Sequence, residues 1–176
     1  MISFRTAFRS PVSVIFIAAV FSGCGILNND EYAAMRGEWL SETPAVGVLP
    51  ISEIKSAVAA GKLEADGEVV IRARINAGGM SPWTEGQAAF VVTDATGHDG
   101  AAEHDPHQCP FCRRDIRDHL ALVRFTDTDG RLIPVDARQL LGVADGELLV
   151  VRGTISESEE DELAIDATEI HVVRPE

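Results

Sequence analysis

Between Glu68 and Asn76 the side chains change character at every step: Val69, Ile71, Ala73 and Ile75 alternate with Val70, Arg72, Arg74 and Asn76. A period of two belongs to a strand with one buried face, and Gly78 and Gly79 close it. The same pattern recurs downstream, which commits most of the chain to a sheet. Gln87 to Thr93 reads as a second strand, bounded by Gly86 and by the loop that begins at Asp94. Leu120 to Thr126 reads as a third, followed by the turn Asp127-Thr128-Asp129-Gly130 and a short piece, Arg131 to Val135. Pro134 assigns that piece to an edge or to the end of a strand, because proline cannot donate to a ladder. Asp136 then caps a short helix through Leu140 and Leu141 that Gly142 ends. Leu148 to Ile155 and Leu163 to Val173 complete the set, joined by the acidic turn Ser156 to Glu162. Ahead of the first strand, Ser52 is expected to cap a helix through Ile54, Ala57 and Val58, with Gly61 as its stop.

The start of the chain reads as a processing signal. Arg5 and Arg9 precede an apolar run from Val12 to Phe21 that is too short to span a bilayer. It ends in Phe21-Ser22-Gly23-Cys24, which resembles the lipobox of bacterial lipoproteins, with phenylalanine in place of the usual leucine. The resemblance implies removal of residues 1–23 and a lipid on Cys24, which would tether the protein to a membrane on the far side of the cytoplasm. Gly25 after the cysteine implies, in an organism with two membranes, passage to the outer one, facing the periplasm. Residues 24–50 are then the lipidated cysteine and a tether. Pro44, Gly47 and Pro50 interrupt it, and a short helix near Asp30 to Leu40 offers Trp39 and Leu40 for packing on the domain at 51–176.

Cleavage leaves 153 of the 176 residues, enough for one compact domain. The lost segment holds two arginines and no acid, so the net charge moves from −13 to −15. Nucleic acid is excluded as a partner on that ground, since phosphate binding needs clustered Lys and Arg. No phosphate-cradling glycine loop and no nucleophile elbow occurs in the sequence.

Three strands, a short helix and two more strands resemble the OB-fold, a small five-stranded Greek-key barrel. The closest likeness lies in Val150-Val151-Arg152-Gly153-Thr154-Ile155 followed by Leu163-Ala164-Ile165-Asp166-Ala167 and Ile170, and it covers about residues 68–173. An immunoglobulin-like sandwich needs about seven strands, more than the five or six read here. The resemblance implies a mainly β, OB-like barrel with one or two short helices, serving as a binding scaffold, since such domains hold oligonucleotides, oligosaccharides or peptides on one face; it does not fix which protein or small-molecule partner this chain takes. The family's nucleic-acid binders use exposed aromatics and a basic groove, whereas this chain offers few aromatics and a strongly negative charge.

An insertion at 94–119 carries the chemistry. It holds His98, His104, His107, His119, Cys109 and Cys112, which are four of the five histidines and both cysteines beyond the lipid site. Thiolate and imidazole hold zinc or copper, and Cys109-Pro110-Phe111-Cys112 has the two-residue gap that lets both sulfurs face one ion. His107 lies two residues before the pair, and His104 or His98 can complete a Cys2His2 set. Zinc is the default ion; copper stays open because the compartment is exported and Met80 is a soft donor. Asp94, Asp99, Glu103 and Asp105 are available to orient histidines. In an oxidising compartment the same two cysteines can instead form a disulfide, and the spacing leaves both readings open.

The run Cys109 to Arg114 also resembles the active-site turn of glutaredoxin and thioredoxin-like oxidoreductases, where the first cysteine attacks from a helix start. Those proteins place a strand directly before the motif and alternate strands with helices after it. Here a polar loop precedes it and strands follow. The expectation is therefore a non-enzymatic, metal-binding lipoprotein in a structural or metal-handling role. A thiol-disulfide protein using Cys109 and Cys112 ranks second, and a ligand-binding envelope domain without a metal third. Trp83 reads as a core aromatic or as part of a ligand face.

Overall fold

The computed structural model describes residues 29–97, 105–156 and 162–174. The segment 1–23, Cys24, His98 and His104 lie outside the described residues. Helices α1 (Asn29–Trp39) and α2 (Ile51–Ala59) precede β1 (Glu68–Ile75) and β2 (Ala89–Asp94). A 3-10 segment, Cys112–His119, leads into β3 (Leu120–Arg124), and α3 (Ala137–Leu141) separates it from β4 (Leu148–Ser156) and β5 (Ala164–Val173).

The strands close in the order β1-β2-β3-β5-β4, with β4 returning to β1. Every ladder is antiparallel except β3 with β5. This is the Greek-key closure of an OB-like barrel. The inward positions read from the period of two, Val69, Ile71, Ala73 and Ile75, are all buried. A chain of aromatic rings crosses the core: Trp83 to Phe90 at 5.6 Å, Phe90 to Phe125 at 6.0 Å, and Phe125 to Trp39 at 5.6 Å between centroids. Trp83 is thus a packing aromatic, with the Arg138 guanidinium 5.4 Å above its ring.

Both signals read for α3 operate. The Asp136 carboxylate accepts from the Arg138 N–H at 2.9 Å, and Gly142 ends the helix in the left-handed region at φ 71°. Arg36 from α1 then donates to the Leu140 carbonyl at 3.0 Å, which fastens α1 to the end of α3. Residues beyond α1 also lie on the domain: the Ser41 N–H donates to the Ile170 carbonyl and the Leu49 N–H to the Val70 carbonyl, each at 2.8 Å.

Three local expectations are corrected. The residue ahead of α2 is Pro50, and Ser52 sits inside the first turn. Capping falls instead to Asp94, whose Oδ2 accepts from the Ile51 N–H at 2.8 Å from across the fold. Strand β2 begins at Ala89 because Gln87 is held in a turn, its N–H donating to the Thr84 carbonyl. Arg131 to Val135 makes only an isolated bridge, Thr126 with Leu132, consistent with the donor that Pro134 lacks.

Candidate functional site

The described part of the insertion folds back on the barrel in two steps. Asp105 organises the first, its Oδ1 accepting from the His107 N–H at 2.9 Å and its Oδ2 from the Gln108 side chain at 2.9 Å. Asp105 therefore shapes its own loop. The second step is the turn at Cys109-Pro110-Phe111-Cys112, where the Arg113 N–H donates to the Cys109 carbonyl at 3.0 Å. Proline fixes φ inside that turn, and one helical turn is the separation that brings two side chains three residues apart onto the same side.

Cys109 and Cys112 are thiols in contact. Cys112 is buried and Cys109 partly exposed. Burial above all, then the hydrogen bond that the Cys112 S–H donates to Cys109 and the nearby charges of Cys109 and Asp94, pushes the Cys112 thiol up from 9.0 to about 11. At neutral pH it therefore keeps its proton unless something of higher affinity displaces it, which a soft cation does on binding. Phe111, between the pair, is 76 % exposed.

His107 is half-buried and anchored on the barrel. Its Nε2 lies 2.9 Å from the Thr93 hydroxyl, whose own proton goes to the Asn76 carbonyl at 2.7 Å. With that proton committed, the Thr93 oxygen accepts, so Nε2 carries the ring hydrogen and the Nδ1 lone pair is left for another partner. The Cε1–Nδ1 edge lies against Gly78, where a Cβ would stand 2.4 Å from Cε1 and 2.5 Å from Nδ1. Among the described residues no three of His, Cys, Asp and Glu gather as a metal-holding group. His119 ends the 3-10 segment, and Asp94 serves α2 and Thr96.

A second feature escaped the sequence reading. A groove of about 960 Å³ runs between α2, the outer surface of β2 and β3, the 3-10 segment, the end of β4 and the residues just before β5. Val58, Met80, Val91, Leu120 and Leu122 line it, and Met80 is 74 % exposed there. Lys55 enters from α2 and donates to the Arg117 carbonyl at 2.5 Å. Burial lowers its pKa, with Asp118 and Glu162 opposing that shift. Its signal in the sequence was the spacing of Lys55 and Val58 on one face of α2, which local patterning reads only as amphipathic.

No family model matches the chain, and no curated protein matches it. The fold and the two thiols define its class: a small closed β-barrel with a cysteine pair mounted on the connection between β2 and β3.

Proposed function

We propose that the protein is a lipid-anchored protein of the cell envelope whose barrel carries a transition-metal site at Cys109 and Cys112. The contact between the two thiols carries this reading, because it brings two sulfurs within one turn toward a single ion. His107 supports it in a second way. Metal-bound histidines commonly donate their other ring N–H to an oxygen, as Nε2 does to Thr93, and Nδ1 would become a ligand on turning from its seat against Gly78. His104 or His98 would complete the set. Zinc fits a thiolate and imidazole environment by default, with copper as the alternative. The role is structural or metal-handling.

The anchor is proposed from the order of charge, apolar run and lipobox ahead of Cys24, with the outer membrane facing the periplasm as its place in a cell with two membranes. Cys24→Ser should move the chain from the membrane fraction to the soluble one; a variant that stays with the membrane argues for another attachment.

The metal is tested on the full chain, extracted in detergent and purified without added metal or a histidine tag. About one equivalent of zinc or copper is expected, lost in Cys109→Ser and in Cys112→Ser. A metal-free protein that reduces a disulfide substrate would support the thiol-disulfide reading instead. The groove favours one further reading, in which the barrel face seats a small-molecule or protein ligand whatever the cysteines hold.

A further inference from the structure

The geometry points to Asn76, Gly78 and Thr93 as a socket that positions His107 and, through it, holds the cysteine turn closed against the barrel. The inference deepens the dithiol reading and rests on it. Three observations build the socket from separate parts of the chain. Thr93 is 1 % exposed, and its hydroxyl is fixed between the Asn76 carbonyl and Nε2 of His107. The Asn76 side chain accepts from the Gly78 N–H at 2.8 Å, which holds Gly78 at φ 66°. Gly78 has no side chain, and the imidazole occupies the space where one would be.

A ring seated this way has one tautomer and one orientation. It also sits two residues before Cys109, so it ties the near end of the turn to the ends of β1 and β2. The far end is tied by Lys55, which holds the Arg117 carbonyl. Cys112 is buried between these two attachments, and releasing the near one should expose it. Thr93 acts only through His107, so it is a positioning residue and not a ligand.

Gly79 supplies an internal control. It too has a positive φ, 98°, yet a Cβ there meets nothing within 4 Å. Alanine at either position strains the backbone, but only at 78 does the new methyl collide with the ring.

The test is the rate at which iodoacetamide modifies Cys112 in the full chain, reduced and stripped of metal. Thr93→Val and Gly78→Ala should raise that rate about tenfold, the effect of losing one buried hydrogen bond and its packing from a local closed state. Thr93→Ser keeps the hydroxyl and should restore the native rate, as should Gly79→Ala. Long-range nitrogen–proton NMR of His107 should show the Nε2–H form in the native protein and in Thr93→Ser, and a mixture in Thr93→Val. If Thr93→Val matches Thr93→Ser in both rate and tautomer, the socket does not position the ring and the inference is overturned. Because no metal is present, a native chain that holds no zinc leaves this test standing, while equal rates leave the metal content unaffected.

Discussion

Replacing Gly153 with alanine should destabilise the protein by about 3 kcal/mol, the upper end of what forcing extra volume into a packed interior costs. The residue lies on β4 beside a register shift in the β4–β5 ladder, opposite Ala167. An added Cβ would stand 2.4 Å from the Asp166 carbonyl oxygen, 2.7 Å from Ile165 Cγ2 and 3.0 Å from the Ala167 Cα. Two of these three neighbours are backbone atoms of β5, so no rotamer change relieves the collision. The strands must separate, and β5 is also the strand that closes the barrel against β3. Urea unfolding of the alanine variant would show the loss as a lowered midpoint. An unchanged midpoint would mean that the bulge yields, and that the close β4–β5 approach does not limit stability.

The second large effect concerns Asp94, a residue only 4 % exposed. One oxygen accepts from the Ile51 N–H at 2.8 Å, and the other from the Thr96 N–H at 2.8 Å and the Thr96 hydroxyl at 2.6 Å. Asparagine has the same shape but only one acceptor. Whichever way its amide turns, an NH2 group faces a backbone N–H, so two donors meet in a buried place. Asp94→Asn should therefore cost about 2–3 kcal/mol, the penalty for leaving a buried donor unsatisfied. Hydrogen exchange at Ile51 should rise with it, because α2 loses its cap. Native stability together with native exchange at Ile51 would show that water replaces the carboxylate without loss.

The barrel was legible because each strand advertises itself locally. The alternation at 68–76, the turn at 127–130 and the paired caps Asp136 and Gly142 all act within a few residues, so a reading of neighbours suffices. Long-range partners leave no such trace. Asp94 caps a helix 43 positions earlier, and nothing around Ser52 announces that a distant carboxylate has taken the role. Thr93 looks like one more position in β2, and Gly78-Gly79 looks like a strand stop. Only the fold shows that one of those glycines makes room for an imidazole.

The cysteine pair sits between these extremes. Its contact was readable because it lies within a single turn, where spacing fixes which side chains meet. The seat of His107 was not, since it depends on the ends of two strands brought together by barrel closure. Met80, read as a soft donor, lines the groove, and Trp83 joins the aromatic core. Each was identifiable as apolar, but its place depended on which loop folded over which strand.

X-ray absorption at the zinc edge, recorded on the full chain as purified, addresses the sulfur contact itself. Two sulfur scatterers at about 2.3 Å with nitrogen at about 2.0 Å are expected. A shell of nitrogen and oxygen alone, with both thiols still open to alkylation, would contradict a metal held by Cys109 and Cys112.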